Sequence, residues 1–381
     1  MSKLKSQNIL QKKIPFSCPN IGEKEIQAVK EVLKSGWLTY GEKNKIFEEE
    51  FARYIGVKYA VSLNSCTSAL FLALKINQIK GEVIVPSFTF VASVNAIVNA
   101  GAIPVFADVD YETCTLDPES VRSVLSPRTE GIMVVHYGGQ AGPIKELQEI
   151  CKKHKLLLIE DSAEAIGAEY FGKKTGSFGI GCFSFFPTKN ITTGEGGMLT
   201  TNDRKIAEKA SLFAAHGIKK NKKSHKIGYR SAVLPGYNFR MSNILAAIGI
   251  IQLRKIEKLN KKRRSLANLY NRLLKPLSEI SLPIEKPGRK HVYQMYTIKV
   301  PRNSRDKLLN TLRKANIEAS IHFNPPVHLQ DFYKKHFPKK VPLDITEKLS
   351  KEIISLPLYP DLKIKDVYYI TKVIKNFFKT Q

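Results

Sequence analysis

The chain has 381 residues, 43% of them hydrophobic, and a formal charge of +27 in which lysine greatly outnumbers arginine. That length is enough for a large core and two domains, and the composition is that of an ordinary globular protein. No apolar run is long enough to cross a bilayer, the basic N-terminus lacks an apolar signal core, and five scattered cysteines form no C-x-x-C pair, which argues against a membrane, a disulfide framework or a zinc site.

These features predict a cytoplasmic protein with reduced thiols and no metal. The positive charge raises the question of nucleic acid. The lysines are spread along the chain without a compact basic stripe or a nucleic-acid motif, so a solvated surface is expected. An anionic small substrate is the second reading.

In chain order, residues 1–14 read as a loose tail. A helix is expected over Gly22–Ser35 with Ile26, Val29 and Leu33 on one side, ended by Gly36, and another near Lys45–Ile55 with Phe47, Phe51 and Tyr54 on one face. Tyr59–Leu63 reads as a strand, followed by the turn Asn64-Ser65-Cys66-Thr67-Ser68 and the helix Ala69–Ile76. A strand, a hydroxyl-rich turn and a helix start leave free backbone N–H groups that can hold a phosphate. Strands are expected at 82–86, 103–109 and 132–136, with helices through Ala100, from Asp117-Pro118 to Leu125, and from Pro143. This alternation implies a largely parallel sheet with helices on both faces, and ligands of such sheets bind beyond the carboxyl ends of the strands.

The stretch 156–201 gathers the chemistry. An apolar run, Leu156–Ile159, ends in Glu160 and Asp161, and a second, Cys182–Phe186, leads to Lys189 in a setting rich in hydroxyls and glycine. An acid closing one buried strand and a lysine following another form a chemical pair. Beyond it, a helix from Asn202-Asp203 ends at His216-Gly217, and 218–235 reads as a polar, lysine-rich loop. One long helix begins at Ser242, becomes charged over Arg254–Arg264 and is expected to leave the core towards a second domain. The remainder reads as α+β, with strands Val292–Val300 and Glu318–Phe323 and helices Ser304–Lys314 and Lys363–Phe378.

EDSAEAIGA at 160–168, FSFFPTKNITTGEGG at 183–197 and GYNFRMSNILAAIGIIQL at 236–253, supported by NSCTSALFLAL at 64–74 and VPSFTFVAS at 85–93, resemble the DegT/DnrJ/EryC1/StrS family of sugar aminotransferases over nearly the whole chain. The resemblance implies an α/β, fold type I pyridoxal-phosphate transferase of the aspartate-aminotransferase type. After a tail at 1–14, it would have a large cofactor-binding domain at 15–265 with a mixed, mostly parallel sheet, and a small C-terminal α+β domain at 266–381. It also implies a homodimer with shared active sites, L-glutamate as amino donor and a nucleotide-linked keto sugar as acceptor.

By that resemblance Lys189 is the Schiff-base lysine, which burial and nearby cations would help to keep unprotonated. Asp161 is the partner of the pyridine nitrogen. Thr67, Ser68 and Ser184 would contact the cofactor phosphate, and Asn238 would reach the phosphate in the partner subunit's site. Phe90 would stack on the ring, or is a core phenylalanine. Family members commonly carry histidine or glutamine where this chain has Glu164, and an ionised glutamate cannot donate to the cofactor's phenolic oxygen. Glu164 is then protonated, bridged by water, or turned to the sugar. Members resembling GDP-perosamine synthases carry glutamate there, which points to a 4-keto-6-deoxy hexose.

Phe186, Arg240 and His328 are candidates for the substrate pocket, with ordinary packing or structural roles as the alternatives. Lys219, Lys220 and Arg230 could meet a diphosphate or simply be solvated. A ketocyclitol or 3-keto sugar substrate and a non-catalytic sensor remain the competing readings, the Lys189–Asp161 pair counting against the sensor.

Overall fold

The computed structural model describes residues 13–219 and 231–380. Four strands, β1 (Tyr59–Leu63), β2 (Glu82–Pro86), β3 (Ile103–Ala107) and β4 (Thr129–Val135), are each followed by a helix: Cys66–Ile76, Val91–Asn99, Pro118–Val124 and Ile144–His154. Then come β5 (Leu157–Asp161), a two-strand ribbon of β6 (Glu169–Tyr170) and β7 (Lys173–Lys174), and β8 (Ile180–Ser184) and β9 (Gly197–Thr201). Seven of these form one sheet in the order β1-β9-β8-β5-β4-β2-β3. Only β9 runs against its neighbours; every other adjacent pair is parallel.

The apolar runs are continuous because both faces of the sheet are covered. Successive side chains point to opposite faces. Val83, Val85, Met133 and Ile159 therefore join one core with the Cys66–Ile76 helix, while Ile84, Ile132, Val134 and Leu158 join another with the Ile144–His154 helix. The shared strand direction brings the ends of β1, β2, β4, β5 and β8 to one edge, and β9, running the other way, begins there.

The C-terminal part packs around a separate core built from the Ile256–Leu274 helix, β13 (Tyr296–Lys299) paired with β14 (Ile353–Leu356), and the helices Arg302–Lys314 and Ile364–Lys379. The short strands β10 (Ile218–Lys219) and β11 (Ser231–Ala232) pair with each other, and β12 (Arg289–Lys290) adds to β6. No helix of the described residues is long and apolar enough to cross a membrane.

Several expectations change. Ile14 is not in a loose tail: it is buried in the C-terminal core and bridges Ile317. In the Glu23–Ser35 helix Val32 and Glu25 are buried, whereas Ile26 and Leu33 are exposed. Glu25 turns inward because Lys255 and Gln252 bond its carboxylate. The long helix from Ser242 is two helices, Asn243–Arg254 and Ile256–Leu274, broken at Lys255. As expected, the charged segment passes from one core, where Ile256 and Leu259 pack, to the C-terminal one, where Leu266 and Tyr270 pack, but its charged face is not all solvated. Arg263 is 2% exposed and donates to the carbonyls of Gln294 and Leu358, burial pushing its guanidinium down to about 10. Glu318–Phe323 is no regular strand: it meets β14 through the isolated Ser320–Ser355 bridge and through His322 Nδ1, 2.9 Å from Ser355 Oγ. Within 218–235, residues 218–219 and 231–232 pair as strands; Lys220 and Arg230 lie outside the described residues, and Lys219 is exposed on β10.

Glu160 shows why two adjacent acids differ. Its side chain is buried opposite Asp161 and accepts from the N–H groups of Gly176, Phe178 and Gly179 and from His136 Nε2 at 2.7–3.0 Å. His136 Nδ1 accepts from the Gly142 N–H, which places the ring proton on Nε2. Glu160→Ala would leave these buried donors without an acceptor at about 1–3 kcal/mol each. A loss of at least about 3 kcal/mol is expected in chemical denaturation, with no direct effect on the neighbouring cavity.

The buried histidines contribute to the loss of stability in acid. His291 lies 3.9 Å from the Tyr293 ring, and burial pushes it down to about 3; burial also lowers His322 and His328. Below about pH 6.5 the unfolded chain takes up protons that these rings refuse, so stability falls as pH drops, by up to about 1.4 kcal/mol per pH unit for each. Thermal melts of the protein and of His291→Gln should diverge in slope between pH 6.5 and 4.5, the variant declining less steeply.

Candidate active site

The strand edge opens into a cavity of about 500 Å³. Each wall follows from a strand end. β5 delivers Asp161, which is buried, accepts from Ser93 Oγ at 2.7 Å and from the Ala163 N–H at 3.1 Å, and lines the cavity. Burial pushes its carboxyl above the usual range; the Ser93 and Ala163 donors and the Lys189 cation pull the other way, while Glu164 adds to the rise.

β8 delivers Ser184, and the turn beyond it delivers Phe186 and Lys189, the Lys189 N–H closing on the Phe186 carbonyl at 2.9 Å. Lys189 Nζ stands 3.4 Å from Glu164 Oε1, both side chains being largely sequestered. Glu164 Oε2 accepts the Gly138 N–H at 2.9 Å. Glu164 therefore accepts on both oxygens, the arrangement of a carboxylate facing its cation.

β1 delivers the start of the Cys66–Ile76 helix. Ser65 is its N-cap and accepts the Ser68 N–H at 3.1 Å. Ser65, Cys66 and Thr67 line the cavity. Ser68 is buried behind them, its hydroxyl bonded to Asn64 Oδ1 at 2.7 Å, so Ser68 is taken up by the cap. A Cβ on Gly197 would stand 2.3 Å from the Ser65 carbonyl carbon and 2.4 Å from the Cys66 nitrogen. Only glycine lets β9 begin that close to the helix start. β2 delivers Thr89 and Phe90; Phe90 is 64% exposed at the head of the Val91–Asn99 helix, so it is no core residue.

Three sequence candidates stand elsewhere. His328 is buried with Nδ1 2.6 Å from Ser87 Oγ and Nε2 3.3 Å from Glu347, outside the cavity wall. It is a satisfied structural histidine. Arg240 bridges Leu63 and Asn238 bridges Ala215, and neither lines the cavity of its own chain. In their place the C-terminal part contributes Gln294, Met295, Ser320, His322 and Phe323, all inside stretches read as strands and none of them singled out as a site residue. The signal available for His322 was its spacing, six residues before the histidine that was chosen. No cluster of potential metal ligands occurs among the described residues.

This strand order, with a lysine and a buried aspartate brought to one edge, is that of the fold type I pyridoxal-phosphate transferases. The sequence matches the DegT/DnrJ/EryC1/StrS aminotransferase family over residues 19–375, and the chain belongs to that family. It is 41% identical to protein MJ1066 of Methanocaldococcus jannaschii over 95% of this chain and 96% of that one. It is 36% identical to the spore coat polysaccharide biosynthesis protein SpsC of Bacillus subtilis, over 96% and 97%. Among solved structures it resembles PseC of Helicobacter pylori, an aminotransferase involved in the biosynthesis of pseudoaminic acid, with TM-score 0.91, 32% identity and coverage of 97% and 100%.

The chain is accordingly a sugar aminotransferase dependent on pyridoxal phosphate. The residues present fit that cofactor. A buried carboxylate, an amine and an open helix N-terminus against Gly197 share one cavity, matching a ring nitrogen, an aldehyde and a phosphate in kind.

Proposed function

We propose that the protein transfers the amino group of L-glutamate to the keto group of a nucleotide-linked 4-keto-6-deoxy sugar, supplying an amino sugar for a surface polysaccharide. The observation that carries this reading is the cavity in which Lys189, Glu164 and Asp161 are gathered with space left beside them. SpsC, named for polysaccharide biosynthesis, and PseC, named for pseudoaminic acid biosynthesis, support the class of product.

Bound pyridoxal phosphate supplies an aldehyde that carries the amino group and a ring that accepts electrons. Asp161 holds the proton on the ring nitrogen. Lys189 Nζ would hold the aldehyde end, and its free amine would carry a proton to and from the carbon that bears the amino group. Glu164 holds the Lys189 Nζ in place and in turn is fixed by the Gly138 N–H. The free N–H groups of Cys66 and Thr67 and the Ser184 hydroxyl take the phosphate, with Ser68 acting through the cap. Phe90 covers one face of the ring, and Phe186 borders the sugar. We propose a cytoplasmic homodimer in which Asn238 of one subunit reaches the phosphate of the other, with Arg240 adding charge nearby.

The test is a panel of UDP-, GDP- and dTDP-linked 4-keto-6-deoxyhexoses, a nucleotide-linked 3-keto sugar and a ketocyclitol, each with glutamate. 2-Oxoglutarate should be released with the 4-keto sugars. Turnover confined to the ketocyclitol or the 3-keto sugar would sink the substrate assignment.

A further inference from the structure

We propose that Ser93, backed by Thr89, is a positioning residue for the ring nitrogen: its hydroxyl makes Asp161 a weaker base, so that the carboxylate pairs with the protonated ring without taking its proton. This rests on the placement of Asp161 against the ring nitrogen proposed above.

Thr89 and Ser93 belong to the stretch VPSFTFVAS at 85–93. Thr89 stands just ahead of the Val91–Asn99 helix, and Ser93 lies in its first turn. Both line the cavity and both are buried. A serine in a helix ordinarily turns its hydroxyl to water or back to the carbonyl four residues earlier. Ser93 does neither. Its Oγ lies 2.7 Å from Asp161 Oδ2 and 2.9 Å from Thr89 Oγ1.

Proton counting sets the direction. An ionised carboxylate only accepts, and each hydroxyl has one proton to give. Ser93 therefore donates to Asp161, and its own oxygen accepts from Thr89. Among the described residues Thr89 Oγ1 has no other hydrogen-bond partner. The series ends on the carboxylate, and the outer hydroxyl polarises the inner one. The Ala163 N–H takes the other carboxylate oxygen at 3.1 Å. A carboxylate has about four lone-pair positions, so both oxygens keep capacity for the ring N–H.

The surroundings of Asp161 give this bond its consequence. Burial pushes the carboxyl above its ordinary range and Glu164 adds to the rise, against the Ser93 hydroxyl, the Ala163 N–H and the Lys189 cation. Cys66 and Cys182 also face it, and burial keeps both thiols neutral. Too basic a carboxylate would draw the proton off the ring and leave a poorer electron acceptor. A donated hydrogen bond favours the ionised carboxylate. Any residue but proline would supply the Ala163 N–H, whereas the Ser93 donor depends on its side chain.

The first test uses holoenzyme reconstituted with pyridoxal phosphate that carries nitrogen-15 in the ring, at pH 7.5. The parent should show a protonated ring nitrogen. In Ser93→Ala the signal should move towards the unprotonated position, and Ser93→Thr, which keeps the hydroxyl, should restore the parent's. An unchanged signal in Ser93→Ala would overturn the proposal. Thr89→Val keeps the volume and the Ser93–Asp161 bond, and should move the signal the same way by less. Should Ser93→Ala fail to fold, an unmoved signal in Thr89→Val is the overturning result.

The reaction with glutamate alone, followed by the visible absorption of the bound cofactor, needs no sugar. Ser93→Ala should lower its limiting rate about tenfold, the worth of one hydrogen bond to a charged group, and leave the half-saturating glutamate concentration within about twofold. A change in the half-saturating concentration alone would make Ser93 a substrate-binding residue and overturn the proposal. Asp161→Asn separates the two layers. If it leaves the nitrogen signal in place, the placement of Asp161 fails; if it moves the signal and Ser93→Ala does not, only the role of Ser93 fails.

Discussion

Lys189→Ala is expected to abolish turnover, lowering it by roughly 10⁴-fold or more, because one side chain supplies both the covalent anchor and the proton carrier. The variant should also lose the visible absorption of protein-bound pyridoxal phosphate, and borohydride should no longer fix cofactor mass on the peptide containing residue 189. The fold should survive. Among the described residues Lys189 makes a single ion pair, with Glu164 at 3.4 Å, and Glu164 keeps the Gly138 N–H after the substitution, so the melting temperature of the cofactor-free variant should stay close to the parent's. Lys189→Arg separates charge from chemistry. A guanidinium can still face Glu164 but remains protonated and is a poor nucleophile, so it should be as inactive as alanine. Turnover in either variant within tenfold of the parent would mean that another amine serves the cofactor.

Asp161→Asn is the second large effect. An amide offers the ring nitrogen a donor or a carbonyl, and neither holds a proton there as a carboxylate does. Turnover should fall by roughly 10²–10³-fold or more, the cost of removing a preorganised charge from a site sheltered from water. The same change should not harm the cofactor-free fold. Burial holds the Asp161 carboxyl above its ordinary value of 3.8, so the folded chain binds this proton more readily than the unfolded chain. Above the unfolded value the buried carboxylate therefore costs stability, and the cost disappears as pH falls through that window. Asparagine removes it at neutral pH while keeping a carbonyl for the Ser93 hydroxyl or the Ala163 N–H. Thermal melts at pH 7.5 should show the cofactor-free variant at least as stable as the parent, with a smaller gain on adding pyridoxal phosphate. A variant that melts several degrees lower without cofactor and keeps its turnover would refute both parts.

The two acids Glu160 and Asp161 illustrate how far a sequence can be read. Their adjacency at a strand end meant that one faces each side of the sheet. Which of them faces the cavity is fixed by neighbours distant in the chain: Ser93 turns towards one, and His136 with the 176–179 turn encloses the other. Histidine assignment failed for a related reason. His322 and His328 sit in one irregular segment where no period applies, and only the packing of β14 and Ser87 shows that His322 meets the cavity while His328 is satisfied inside the protein. The run Arg254–Arg264 reads as a charged link towards a second domain, and composition does not show that Arg263 within it is buried with its guanidinium on two backbone carbonyls.

The alternation of strands and helices, the parallel character of the sheet, and the delivery of Asp161 and Lys189 beyond the ends of strands were legible in the chain alone. These are carried by local signals: apolar runs of strand length, caps such as Ser65 and Asp117, and glycines where the backbone must turn or approach closely. Tertiary structure decided where β9 inserts, that Ile14 belongs to the C-terminal core, that Ser68 serves the helix cap rather than the cavity, and that the third wall of the site comes from residues 294–323. Apart from the Ser68 cap, which is closed locally by Asn64 and Ser65, those facts depend on contacts between segments far apart in the chain, and a one-dimensional pattern holds no record of which surface closes on which.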